Sequence, residues 1–264
     1  MKRIEKQFSE LKKRGEKALV AYLTAGYPDL RATKEIILAF EKAGVDVLEL
    51  GVPFSDPTAD GPTIQAASLA ALRNGTTLAG ILDLVAEVRD LTEMPVILFS
   101  YYNPIFVFGA ERFARQAASA GADGVLVVDL PLEEAAELKG HTDQEGIDFI
   151  TLVAPTTGIE RTKKMVKGAS GFIYYISLTG VTGTGTPVIE EIRDRVAVIR
   201  QMSDLPVVAG FGITNPSQAR KIAPAADGIV VGSAIVRLIG EHAGNPELGR
   251  TVETFARSLK EAMG

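Results

Sequence analysis

Strand-like and helix-like segments alternate along this chain from end to end, and that alternation restricts the fold more than any other feature. Brief apolar runs occur at Ala18–Leu23, Val47–Leu50, Val96–Phe99, Val125–Val128, Phe149–Val153, Phe172–Ile176, Val207–Ala209 and Ile229–Val231. Each is nearly continuous in apolar character and bounded by Gly, Pro or Asp, the pattern of parallel strands buried on both faces. Helical patterns lie between them at Arg31–Ala43, Leu78–Leu91, Glu111–Ala120, Glu133–Glu145, Arg161–Lys167, Ile189–Met202 and Gln218–Ala223, with a last one at Glu247–Met263. Thr76 or Thr77 is placed to cap the second of these, and Gly44, Gly121 and Gly146 stand where a left-handed residue closes a helix.

Eight strand-then-helix units, preceded by an extra helix at Ile4–Arg14, predict a parallel sheet closed into a (β/α)8 barrel. The length of 264 residues suits one such barrel, and no linker or composition break divides residues 1–264, so a single domain is expected. A doubly wound open sheet is the alternative. It is weakened by Thr24-Ala25-Gly26-Tyr27-Pro28 after the first strand, where a dinucleotide-binding sheet would carry its G-x-G-x-x-G turn.

A net charge of −5 argues against nucleic-acid binding, which needs a basic face. No apolar run is long enough to cross a bilayer, and the charged Met1–Lys13 does not read as a secretory signal, so a cytoplasmic location is expected. The chain has no cysteine, which removes disulfides, thiolate catalysis and Cys-ligated metals. His141 and His242, the two histidines, fall in polar surroundings, are expected at the surface and make no metal-ligand cluster.

The segment from Leu48 to Gln65 carries the chemistry. Glu49 sits in an apolar strand between Leu48 and Leu50, where burial penalises a charge, and a loop with Pro53, Pro57, Pro62 and Gly61 then holds Asp56 and Asp60. A strand ending in a solvated Glu before a polar loop is the bland alternative; the rigid acidic loop favours an active site. Late in the chain, glycine-bearing turns follow successive strands: Gly180–Thr186, Gly210-Phe211-Gly212-Ile213-Thr214, and Gly232-Ser233-Ala234. After the last strands of a barrel such turns, with a short helix starting near Ser233, bind phosphate through backbone amides, though one turn alone would serve packing as well. Gly180–Pro187 reads as a closing lid. A Schiff-base route needs a strand-end lysine, and none of the eight strand ends has one. Metal-free acid/base catalysis by Glu49 and Asp60 on a small phosphorylated substrate remains.

Glu49 to Pro57 and Ala59 to Gln65 closely resemble the signature of the tryptophan synthase α subunit family. The resemblance extends over the chain through Tyr102-Asn103-Pro104, Asp129-Leu130-Pro131, Gly180-Val181-Thr182-Gly183, Gly210-Phe211-Gly212-Ile213 and Gly232-Ser233-Ala234-Ile235-Val236. It implies cleavage of indole-3-glycerol phosphate to indole and glyceraldehyde 3-phosphate. In that family Glu49 would be the acid/base at indole C3 and the glycerol hydroxyl, and Asp60 would face the indole N–H. Tyr174 would pack near Glu49; Tyr22, Ile64 and Ser100 would line the indole pocket. Gly183, Phe211, Gly212, Gly232 and Ser233 would bind phosphate, and Thr182 would contact Asp60 on lid closure. The resemblance implies no cofactor in this chain but a β-subunit partner holding pyridoxal phosphate, in an αββα assembly with indole passed inside. Asp56, Pro57, Asn103, Pro104, Asp129 and Pro131 match its docking face; read alone they are ordinary turn residues. The chain departs from the commonest pattern at Tyr22, where Phe is frequent, at Thr58, and at Thr184-Gly185, where Ala-Arg often stands. The tyrosine hydroxyl needs a partner. A free-standing lyase and a phosphosugar isomerase on the same scaffold are the competing functions.

Overall fold

The structure, a computed structural model, describes residues 1–176 and 189–264. Nine parallel strands run through it: β1 Ala18–Thr24, β2 Val47–Gly51, β3 Val96–Ser100, β4 Gly124–Val127, β5 Asp148–Phe149, β6 Thr151–Val153, β7 Ile173–Ile176, β8 Val207–Gly210 and β9 Gly228–Val231. Their order, β5-β4-β3-β2-β1-β9-β8-β7-β6, starts and ends on segments that adjoin across the single residue Ile150, so the sheet curls into a nearly closed barrel. The expected fifth strand is therefore real but split. Its first half pairs with β4 and its second with β7, and Ile150 donates its N–H to the Val125 carbonyl at 2.9 Å where the pairing changes hands.

Strand alternation sorts the side chains into two layers. Ala18, Val20, Val47, Ile97, Leu126, Ile150, Phe172, Tyr174, Val208 and Val230 point into the barrel. Leu19, Ala21, Leu23, Leu48, Leu50, Leu98 and Val125 point outward, under the helices. The extra helix, α1 Arg3–Arg14, closes the N-terminal end of the barrel by pushing Ile4, Phe8 and Leu11 into the inner layer, with Phe8 against Phe172 at 5.6 Å.

The remaining helices are α2 Leu30–Ala43, α3 Pro62–Arg73, α4 Leu78–Arg89, α5 Tyr102–Phe108, α6 Ala110–Ala120, α7 Ala136–Gln144, α8 Ile159–Lys167, α9 Ile189–Arg200, α10 Pro216–Ile222, α11 Ser233–Glu241 and α12 Leu248–Ala262. Thr77, not Thr76, caps α4 by accepting from the Gly80 N–H. Gly44 and Gly121 close their helices, and Gly146 lies one residue beyond the cap of α7, all at positive φ. Two departures from the sequence reading matter. β2 and β3 are each followed by two helices, α3 and α5 being the additions, and both lie at the C-terminal rim. The helix expected from Glu133 begins only at Ala136, which leaves Leu132–Ala135 as turns. Both histidines are half-buried, and the His242 ring lies 3.0 Å from the Leu238 carbonyl.

Carboxylates brace the opposite, N-terminal rim. Asp46 accepts from the Leu19 N–H at 2.8 Å, Gln7 at 2.9 Å and Lys260 at 2.6 Å, joining β1, α1 and α12. Asp123 accepts from the Val96 N–H and from Arg89 and Arg3, and Asp227 from the Val207 N–H and Arg200. Among the described residues no helix is long and apolar enough to cross a membrane.

Candidate active site

Glu49 is the middle residue of β2. Its neighbours Leu48 and Leu50 turn outward into the apolar layer, which turns Glu49 inward, in register with Tyr22 of β1. It is 1% exposed, and neither carboxylate oxygen has a hydrogen-bond partner among the described residues. Burial alone pushes its pKa from 4.5 up to about 8. At neutral pH such a group holds a proton that it can give, and its anion can take one back.

Asp60 reaches the same mouth from the loop after β2. The loop is tied by its own backbone, Thr58 N–H to Asp56 and Asp60 N–H to Pro57, and by Gln65, which donates to the Asp60 carbonyl at 2.9 Å. Tyr101 holds it from the end of β3. Its hydroxyl accepts from the Ala59 N–H at 2.9 Å and donates to Asp60 Oδ2 at 3.2 Å, and its ring packs on Phe54 at 5.2 Å. Burial raises the Asp60 carboxyl to about 6, and the Tyr101 hydroxyl pulls it part of the way back.

The apolar wall is built from inward positions. Tyr22 meets Phe99 edge to face at 5.2 Å, and Ile64 of α3 joins them. Tyr174 of β7 lies in the inner layer with its hydroxyl over Gly210, where a Cβ would sit 2.6 Å away. Burial raises the pKa of both tyrosines, so they stay neutral donors. Ser100 does not line the mouth. Alternation from Ile97 and Phe99 turns it outward, it is fully buried, and its hydroxyl donates to the Tyr101 carbonyl at 2.8 Å. Phe99 takes the place expected for it, with Val128, Leu152 and Ile176 half-buried around the same interior. Counting alternation along β3 would have found Phe99. The partner that the Tyr22 hydroxyl requires is Thr24, at 3.3 Å.

The glycine turns after β8 and β9 flank this mouth. Gly212 is exposed at φ +60°, and Gly232 precedes α11, whose first residue Ser233 is exposed, so the unpaired amides of that helix face outward there. Gly232 lies against Tyr22, an added Cβ falling 3.4 Å from the tyrosine Cβ. The Phe211 side chain is turned away: it is 4% exposed and packs on Tyr175, leaving only its backbone for a ligand. Thr182, Gly183 and the Gly180–Pro187 lid lie outside the described residues. Asp56, Asn103, Asp129 and Pro131 are exposed and Pro57 and Pro104 half-buried, all on the rim formed after β2, β3 and β4. The Asp129 carboxylate accepts from the Tyr102 N–H at 2.7 Å, so this side chain shapes the rim locally as well. Phe106 and Val107 of α5 stand on that rim at 64% and 77% exposure, a feature the sequence reading passed over. Among the described residues no group of three or more His, Asp or Glu side chains is arranged to hold a metal ion.

Comparison with known proteins supplies the family. The family model described as tryptophan synthase alpha chain matches residues 8–264. The tryptophan synthase alpha chain of Geobacter sulfurreducens is 53% identical over the full length of both chains, and that of Geobacter sp. strain M21 is 52% identical over all of this chain and 98% of its own. Among solved structures, tryptophan synthase subunit alpha from Legionella pneumophila superposes with a TM-score of 0.93 at 37% identity, covering all of this chain and 98% of that one. A chain of the tryptophan synthase structure from M. tuberculosis, in its aminoacrylate-bound form, superposes at 0.90 with 31% identity and full coverage of both. With its barrel, its inward glutamate and its acidic loop in family order, this chain belongs to the tryptophan synthase alpha chain family, the lyase component of an enzyme of tryptophan biosynthesis.

Proposed function

We propose that the chain cleaves indole-3-glycerol phosphate to indole and D-glyceraldehyde 3-phosphate, with Glu49 and Asp60 as its catalytic residues and no cofactor of its own. Protonated Glu49 gives its proton to indole C3. The ring nitrogen then carries positive charge, which the Asp60 carboxylate stabilises across the N–H. The Glu49 anion next takes the proton from the hydroxyl on the adjacent glycerol carbon. As that oxygen becomes a carbonyl, the C–C bond breaks and its electron pair restores the indole ring, so protons balance over the cycle. The ring lies between Tyr22, Phe99, Ile64 and Tyr174. The phosphate is held by amides at Gly212, Gly232 and Ser233, with Phe211 contributing its backbone, and Thr182 and Gly183 are assigned to its lid side.

The observation that carries this reading is the state of Glu49: an inward carboxyl, 1% exposed and raised to about 8, in a barrel whose strands β9 and β8, next beyond β1, end in glycine turns and the exposed start of α11. Family membership brings a β-subunit partner. We assign Asp56, Pro57, Asn103, Pro104, Asp129 and Pro131 to its docking face in an αββα assembly, with pyridoxal phosphate in the partner. The unit acting there is residues 1–264 as one domain, a reading supported by the nine strands of the described residues sharing one sheet, and we assign it to the cytoplasm.

Incubation with indole-3-glycerol phosphate, with and without a β subunit, tests this by following indole. Glu49→Gln should keep its circular dichroism and lose roughly 10²–10⁴-fold in turnover, the usual contribution of a positioned acid/base. Substantial turnover by that variant would refute the mechanism. Failure of the β subunit to co-elute or to raise the rate would favour a free-standing lyase.

A further inference from the structure

Tyr22 spans the mouth from one functional side to the other. Its Cβ end rests against Gly232, and its hydroxyl lies over Gly51, where an added Cβ would fall 2.3 Å from the oxygen. Gly51 is the next inward position after Glu49 on β2, one step nearer the mouth. Glycine at 51 is therefore what admits the hydroxyl beside the glutamate. Thr24, registered opposite Gly51, meets that hydroxyl at 3.3 Å, and Tyr22 and Thr24 are only 5% and 1% exposed.

Two hydroxyls carry two hydrogens and share one hydrogen bond, so one hydrogen is left to give. Among the described residues neither hydroxyl has another partner, and neither oxygen of Glu49 has any. A buried donor lacking an acceptor and a buried acceptor lacking a donor thus stand on register-paired strands. Each is costly while alone.

We infer that the Tyr22–Thr24 hydroxyl pair is a positioning donor that receives the Glu49 carboxylate in the half of the reaction in which it has given up its proton. This rests on the acid/base reading of Glu49. The protonated carboxyl makes no hydrogen bond to the pair and, being neutral, loses little by that; the anion, in an apolar barrel, gains far more by turning toward the mouth to meet it. The other groups facing Glu49 are Tyr174 from β7 and the Asp60 carboxylate with Tyr101 behind it. Tyr174 is the rival donor, since its hydroxyl also points into the barrel.

The test compares pH profiles of kcat for Tyr22→Phe, Thr24→Val, Thr24→Ser and Tyr174→Phe. It is paired with infrared titration of the protonated Glu49 carbonyl in the resting protein, that band being assigned by its loss in Glu49→Gln. Tyr22→Phe should move the Glu49 limb and the infrared midpoint upward by about one pH unit, the scale of a lost hydrogen bond to a carboxylate, and lower kcat roughly tenfold with KM little changed. Thr24→Val should move both in the same direction by less, and Thr24→Ser should restore them. An unmoved limb and midpoint in Tyr22→Phe would leave Tyr22 as a wall and overturn the inference. So would a shift confined to Tyr174→Phe, or a serine variant that behaves like valine. Turnover surviving in Glu49→Gln would instead remove the acid/base role itself.

Discussion

The two ends of this barrel use carboxylates in opposite ways. At the N-terminal rim Asp46, Asp123 and Asp227 each stand one residue before a strand and accept an N–H from the first or second residue of the strand beside it, with a Lys or Arg completing each set. At the C-terminal mouth Glu49 is as deeply buried as Asp46 yet has no partner among the described residues, and Asp60 has one tyrosine. Burial raises the Asp123 carboxyl too, but the Val96 amide and two arginines oppose it and offset part of that rise. A carboxylate whose bonds are filled joins strands; one left unfilled is free to exchange protons. A concavity of about 890 Å³ between α1 and the N-terminal loops lies at the filled end, across the barrel's length from Glu49 and Asp60.

The contrast breaks most visibly if Asp46 can be lost cheaply. Asp46→Ala would strand the Leu19 N–H and Gln7 and take from the Lys260 ammonium, 18% exposed, its shortest bond, leaving it the Lys17 carbonyl at 3.1 Å and Glu16 at 3.7 Å. Removing one partner of such a buried pair costs about 3–5 kcal/mol. We expect a loss of that size in denaturant titration, with kcat and KM of the folded fraction unchanged. A stability equal to wild type would mean that the N-terminal carboxylates are as dispensable to the fold as Glu49.

Glu49 should behave in the reverse sense. Its carboxyl ionises at about 8 in the folded chain and at an ordinary 4.5 when unfolded. Between those values the unfolded chain releases a proton that the folded chain keeps. Stability therefore falls as pH rises from 4.5 to about 8, and is level above. Glutamine does not titrate. Glu49→Gln should thus match wild type near pH 4 and exceed it by about 4 kcal/mol at pH 8, while losing activity. Equal melting curves at both pH values would show that Glu49 is solvated in the folded protein.

The barrel was legible because strands buried on both faces leave unbroken apolar runs, and Glu49 was legible as the polar exception within one. What stayed hidden lacks that contrast. α3 is rich in alanine and exposes Leu69 at 48%, so its apolar residues form no clear stripe, and α5 contains Asn103-Pro104, which reads as a turn although proline is tolerated in a first helical turn. Asp46, Asp123 and Asp227 read as strand boundaries; that they accept from a neighbouring strand is a long-range fact invisible in local sequence. Ser100 differs for a simpler reason: a motif resemblance does not specify the face of β3, whereas alternation from Ile97 and Phe99 turns Ser100 outward. Tyr101, which organises the acidic loop, sits just past β3 and has no local signature at all.

Tyr101 also gives the smallest and sharpest prediction, because among the described residues its hydroxyl bond is the one that separates Asp60 from the unpartnered state of Glu49. Tyr101→Phe keeps the ring against Phe54 and deletes both bonds of the hydroxyl, one to Asp60 and one from the Ala59 N–H. Net loss of a hydrogen bond of this kind is worth about 1–1.5 kcal/mol, roughly a tenfold change in rate if it is expressed at the transition state. The sign for acidity is fixed: the hydroxyl pulls the Asp60 carboxyl down, so its removal should move the acid limb of kcat upward from about 6. We expect kcat to fall with KM nearly constant, since the indole wall is untouched. Should KM rise while kcat and the limb stay put, the loop would be positioning the ring rather than the carboxylate. Asp60 would then belong with the structural carboxylates at the other end of the barrel.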